Sequence, residues 1–246
     1  MDPFRGISVA RQEVKEHMKA NEQNTNAQMA GLSCSSCGVK ACRIADKDRY
    51  PAFCPTAGLD PALMEEVLSI YKDDPAVREI SVKSACLESE YYCRLTRVEE
   101  TIEFIGRMGY KKIGIATCVG LLPEAAVFSR ILAARNIDHY VVCCKVGAFD
   151  KTETVGVPPE KKLNGGCGHE SMCNPVLQAK VLEEKGCDFN ILIGLCVGHD
   201  TLFLRTTDTP TTVLIVKDRV LGHNPVQALY MAGGSYSRFK KEMGLL

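Results

Sequence analysis

Between Lys112 and Lys217 the chain alternates short apolar runs with longer segments whose apolar residues recur every three or four positions. Lys112 to Thr117 (KIGIAT), Tyr140 to Cys144, Phe189 to Leu195 (FNILIGL) and Thr212 to Lys217 (TVLIVK) read as buried strands. Pro123 to Ala134 and Pro175 to Lys185 read as helices, the second stopped by Gly186. The expected succession is β, α, β, α, β, β, α. That order implies an α/β fold, a mostly parallel sheet with helices on both faces; right-handed crossovers make it a Rossmann-like three-layer sandwich.

Upstream the texture differs. Residues 5 to 20 read as a polar helix, and Asn21 to Gln28 (NEQNTNAQ) has too little apolar content to pack. Gly31 to Pro55 carries four Cys with little periodic hydrophobicity, which marks a ligand loop. Pro61 opens a helix to about Tyr71 with Leu63, Val67 and Ile70 on one face, and a second helix spans Asp74 to about Glu90. Thr96 caps a third, with Glu99 reaching back to it and Gly109 ending it. The expected organisation is a polar arm (1–30), a four-Cys module (31–58), a helical segment (59–109) and an α/β domain (110–246). No repeat of fixed period is visible.

Composition narrows the function. Thirty Lys and Arg against 30 Asp and Glu leave no net charge, so nothing global draws the protein to nucleic acid or an acidic membrane. Zero Trp and few aromatics also weigh against a stacking platform for single strands. No apolar run approaches the ~20 residues of a membrane helix, and the mixed-charge N-terminus lacks a secretory pattern, so the expected location is cytoplasmic. Thirteen Cys in 246 residues is unusual. The odd count in a long, leaderless chain argues for reduced thiols, some of them on metal, rather than a disulfide scaffold.

Cys34 and Cys37 form a CxxC pair, Cys42 follows after four residues, and Cys54 closes the set beside Pro55. Four thiolates complete a tetrahedral zinc site or each hold one iron of a [4Fe-4S] cluster. Three Cys bunched within nine residues and a fourth before Pro favour the cluster. Zinc is the alternative, including zinc as a mere staple of the loop.

A second set emerges from the strand-end rule, by which open α/β sheets bind ligands beyond the carboxyl ends of their strands. Cys118 follows the first strand, Cys144 and Lys145 the second, and Cys196 and His199 the third; Lys217 and Asp218 follow the fourth. Cys118, Cys144, Cys196, His199 and Lys145 are therefore the candidate catalytic residues. Adjacent Cys143 and Cys144 point to opposite faces of a strand. Cys144, abutting Lys145, is the expected reactive thiol. The long loop Gly147 to Asn174 offers Cys167, His169 and Cys173 as candidate cofactor-binding residues. Cys86, Cys93 and Cys187 read as packed thiols. No GxGxxG follows the first strand, and neither a P-loop nor a GxSxG elbow occurs.

The four N-terminal Cys together with IGIATCVGL, VVCCKVG, CNPVLQA, LIGLCVGHD and VLIVKDRVLGHNPVQALY resemble a domain-of-unknown-function family of predicted metal-binding proteins, mainly of anaerobic bacteria and archaea. The resemblance spans roughly residues 31 to 235. It implies a metal site at the N-terminal Cys and a shared α/β body, and supplies no reaction. The leading expectation is an iron-sulfur or zinc protein whose strand-end thiols perform redox or sulfur-transfer chemistry on a small-molecule substrate or with a redox partner protein. The rival is a non-enzymatic, zinc-stapled α/β protein that binds a ligand or partner.

Overall fold

The computed structural model describes residues 31–234 together with 239 and 240, so the polar arm of 1–30 lies outside the described residues. The chain divides into two compact units, Met1–Arg78 and Glu79–Leu246.

In the first unit, short 3-10 turns at Cys34–Ser36, Ala41–Ile44, Lys47–Arg49 and Pro55–Gly58 carry the N-terminal Cys loop. Helix α1 (Pro61–Asp73) follows, its start fixed by Pro61 and by Asp60, whose carboxylate accepts from the Ala62 amide at 2.9 Å. The boundary between the units falls inside α2 (Pro75–Tyr91).

The second unit opens with α3 (Arg97–Met108), preceded by the expected reciprocal cap: the Thr96 amide donates to Glu99 and the Glu99 amide donates back to the Thr96 hydroxyl. Gly109 at φ 72° closes it. There follow β1 (Lys112–Thr117), α4 (Leu122–Ala134), β2 (Asp138–Cys143), α5 (Lys151–Val155), α6 (Pro175–Glu184), β3 (Phe189–Ile193), α7 (His199–Thr206), β4 (Thr211–Ile215) and α8 (Val226–Tyr230). The four strands are all parallel, in the order β2-β1-β3-β4. Right-handed crossovers put α4 on one face and α6 and α7 on the other, where these two helices pack together. The protein is a Rossmann-like α/β sandwich.

Burial follows the order of strands. Ile113 and Ile115 of β1 and Ile191, Leu192 and Ile193 of β3 are fully buried, each contributing about 1.5 to 3 kcal/mol relative to an exposed side chain. Edge strands β2 and β4 are mostly half-buried or exposed. On β4 the Arg97 guanidinium donates to the Val213 carbonyl at 2.8 and 3.0 Å, occupying a backbone acceptor there. Gly114 stands opposite Asn190, and a Cβ there would lie 2.2 Å from the Asn190 side-chain oxygen; the two central strands need glycine at that point.

Three sequence expectations change. The second strand starts at Asp138 and ends at Cys143, while the third and fourth stop at Ile193 and Ile215, earlier than their apolar runs. A helix, α7, stands between β3 and β4 where direct succession of strands was expected. The loop after β2 contains the short helix α5.

Candidate functional site: a cleft of thiols at the strand ends

Register sets the geometry. Thr117 pairs with Cys143 and with Ile193, so β1, β2 and β3 end level. The ladder runs one step further: the Cys144 amide donates to Thr117 O at 2.8 Å, Cys118 to Ile193 O at 3.2 Å and Gly194 to Ile215 O at 2.7 Å. Fully buried Gln178 of α6 adds a clamp, its amide donating to Thr117 O at 3.1 Å and to Val142 O at 2.9 Å. Cys118 and Cys144 thus leave neighbouring strands side by side. Because α4 and α7 leave on opposite faces, the crevice opens between β1 and β3.

Cys144 is buried, and its sulfur accepts from the Val119 amide at 3.3 Å. Its hydrogen bond to Cys173 and its burial push this thiol well above the ordinary cysteine range. Cys173 has the opposite character. Hydrogen bonds from the Cys144 thiol and from His199 outweigh its partial burial, and the Lys145 ammonium adds attraction, so Cys173 is held well below that range. The pair shares one proton, held by Cys144. His199 is raised by its bonds to Cys173 and Cys196, against the effect of burial.

A long loop delivers Cys173. Asn174 donates its amide to Cys144 O at 2.8 Å, Met172 donates to Phe149 O at 2.7 Å, and Lys145 Nζ reaches Ser171 O at 2.6 Å and Cys173 Sγ at 3.5 Å. Buried Asp150 ties the loop together: it accepts from the Glu170 amide (2.9 Å), Lys162 Nζ (3.0 Å) and the Thr152 amide (2.8 Å). The Glu170 amide bond, followed by Lys162, holds its carboxyl far below the usual carboxylate range. Lys151 and Glu170 pair alongside.

Two further cations face thiols. Lys217 Nζ lies 3.5 Å from Cys118 Sγ, and Gly120 leaves room for it, since a Cβ there would sit 3.1 Å from the ammonium. Arg219 Nη2 donates to Cys196 Sγ at 3.0 Å. The turn that presents both is self-bonded: Asp218 accepts from the amides of Val220 and Leu221 at 2.9 Å each, and its own amide donates to His223 Nδ1 at 3.0 Å.

The structure therefore brings together Cys118, Cys144, Cys196, His199 and Lys145, and adds Cys173 to them. Sequence reasoning had grouped Cys173 with Cys167 and His169. Cys167 instead is exposed, and His169 turns to the Ser171 hydroxyl at 2.9 Å and towards Asp150 at 3.6 Å. Cys144, the thiol expected to be reactive, is raised by Cys173 and by burial, while Cys173 beside it is lowered. Arg219 escaped sequence reasoning, although VKDRVLGHNP stood out as a motif. A cavity of ≈ 440 Å³ lies at the other end of the sheet, lined by Phe104, Tyr110, Phe189 and Thr211, away from the thiols.

At the N-terminal set, Cys34 and Cys42 are exposed and Cys37 and Cys54 half-buried. The Lys40 amide donates to Cys37 Sγ at 3.4 Å from a left-handed residue at φ 53°. At Cys54 partial burial raises the thiol, but the Ala57 and Thr56 amides and the Thr56 hydroxyl together bring it below its ordinary range. Such N–H···S bonds suit thiolate ligands. Among the described residues no three His, Cys, Asp or Glu side chains are gathered as a ligand set. Nor is any helix among them long and apolar enough to cross a membrane.

No solved structure matches the chain. An uncharacterized protein of Methanocaldococcus jannaschii is 43% identical over 199 residues, 81% of this chain and 94% of the relative. The family described as a protein of unknown function, DUF1847, matches residues 54–214, from the last N-terminal Cys to the fourth strand. The chain belongs to the DUF1847 family.

Proposed function

We propose that the protein is a cytoplasmic thiol-chemistry protein, performing redox or sulfur transfer at the strand-end cleft, with a metal centre at Cys34, Cys37, Cys42 and Cys54. One observation carries the thiol reading: the Lys145 ammonium lies 3.5 Å from the Cys173 sulfur, where Cys144 and His199 also favour the thiolate. A thiolate so held is a nucleophile at neutral pH. Its substrate is a small molecule or the thiol of a redox partner protein. The amide bonds to Cys37 and Cys54 support ligation at the N-terminal set, by an iron-sulfur cluster or by zinc. When bound, a cluster supplies electrons, and zinc holds the loop.

Alkylation by iodoacetamide between pH 5.5 and 7.5 tests the thiol reading, with site-resolved mass spectrometry. An ordinary Cys of pKa about 8.5 reacts roughly 100-fold faster at the upper end. Cys173 is expected to change less than about 3-fold, being ionised throughout. A profile at Cys173 as steep as that of exposed Cys86 refutes the reading. Iron, zinc and acid-labile sulfide in an anaerobic preparation, compared with Cys37→Ser, test the metal centre; unchanged metal in the variant removes it.

A further inference from the structure

We infer that the cleft takes a small anionic sulfane-sulfur donor, with Cys173 accepting the sulfur and Cys144 releasing it as sulfide. The inference deepens the thiol reading and rests on it. Access fixes the order of attack. Cys173 is half-buried and reachable, whereas Cys144 is 2% exposed. The Asn174 amide bond to Cys144 O, 2.8 Å, pins the backbones of the two thiol residues side by side. An S–S bond of about 2.05 Å between them would join residues whose backbones already meet.

Charge identifies the donor class. Lys145, Lys217 and Arg219 each lie 3.0 to 3.5 Å from a cleft sulfur. The acids nearest in sequence face backbone amides: Asp218 accepts from Val220 and Leu221, and Asp200 from Thr201. Three cations, one beside each of Cys173, Cys118 and Cys196, line the cleft with positive charge that suits an anion. A neutral disulfide has no use for them.

Both steps balance. The Cys173 thiolate attacks the outer sulfur of a donor such as thiosulfate; the donor S–S bond breaks, its electron pair leaves on sulfite, and Cys173 becomes a persulfide anion. Cys144 then attacks Cys173 Sγ, its proton passes to the departing sulfur, and hydrosulfide leaves behind a Cys144–Cys173 disulfide. The sulfane sulfur is reduced to sulfide and the dithiol oxidised. A dithiol reductant restores the pair for the next turnover.

The experiment uses the full chain, thiosulfate labelled in its outer sulfur and, separately, a low-molecular-weight thiol persulfide. Wild-type protein without reductant should release one sulfide per chain and yield the Cys144–Cys173 disulfide on peptide mapping, a measurement that needs no variant. Cys144→Ser should stop one step earlier, with one labelled sulfur on Cys173; Cys173→Ser should do neither. Loading by thiosulfate points to a free oxyanion donor, loading by the persulfide alone to an organic one, and either supports the inference. No transfer from either donor, while Cys173 keeps its flat alkylation profile, overturns the donor class and leaves the thiol reading intact. A steep profile overturns both. Labelled sulfur on Cys118 or Cys196 overturns the assignment, as does a bound metal lost from both Cys144→Ser and Cys173→Ser.

Discussion

Gly194 carries the turn between β3 and the thiol cleft, and alanine there meets two separate obstacles. Its φ of +66° lies in the left-handed region, which costs a side chain about 1 to 2 kcal/mol. The new Cβ would also stand 2.4 Å from Leu121 Cδ2 and 2.9 Å from Cδ1. Leu121 is fully buried and has no solvent to yield into, so the overpacking adds about 1 to 3 kcal/mol. Gly194→Ala should therefore destabilise by about 2 to 5 kcal/mol, lowering the urea midpoint by about 1 to 2.5 M for an m-value near 2 kcal/mol/M. Leu121→Ala alone should cost about 2 to 5 kcal/mol. The double variant separates the two obstacles: it should fall short of the summed losses by about 1 to 3 kcal/mol, the clash, while the left-handed strain persists. An alanine variant within about 0.5 kcal/mol of wild type, or an additive cycle, means that Leu121 and Gly194 do not meet as described.

Stability should depend on pH through the shared proton. The folded pair keeps one proton, because Cys173 is lowered and Cys144 raised, while the unfolded chain binds two well below pH 8.5 and none well above it. The lowered Cys173 contributes fully above about 8.5 and loses its contribution as pH falls; the raised Cys144 does the reverse, so their joint contribution peaks near 8.5. Denaturation at several pH values, wild type against Cys144→Ala/Cys173→Ala, checks this; parallel curves refute it. Asp150→Asn should loosen the loop by weakening the Lys162 bond, seen as faster limited proteolysis between 147 and 174 with β1 and β3 still protected from hydrogen exchange. Unchanged cleavage would show that the loop holds without that carboxylate.

The sequence was most legible where local chemistry and burial agree. Thr96, Glu99 and Gly109 announce α3, and the largely apolar runs of β1 and β3 announce the two central strands. Helix α7 was hidden because it is only eight residues long, has no side-chain cap, and begins at His199, a residue more readily taken for a ligand. The end of β3 was overrun since Leu195 is as buried as the strand before it, although it lies past the left-handed Gly194. Period and propensity mark where an apolar run starts better than where its ladder stops. Cys118, Cys144, Cys196, Lys145 and His199 could be gathered from the strand-end rule alone. Cys173 could not, because a chain reversal organised by Asp150 brings it beside Cys144, and no periodicity encodes where so long a loop returns. Arg219 likewise depends on the turn that Asp218 and His223 fold around.

The cleft draws its sulfurs from four stretches, around Cys118, Cys144, Cys173 and Cys196, and its cations partly from a fifth near Lys217. None of these stretches makes a reactive thiol by itself. On an emerging chain all 13 cysteines are ordinary thiols, mostly protonated at neutral pH, and indifferent to weak oxidants. In the folded protein Cys173 is lowered by neighbours from two other stretches, Cys144 with Lys145 and His199. On the proposed reading, nucleophilicity is a product of maturation: a ribosome-bound or misassembled copy would stay chemically quiet, and a mild alkylating dye should mark Cys173 only in correctly completed molecules.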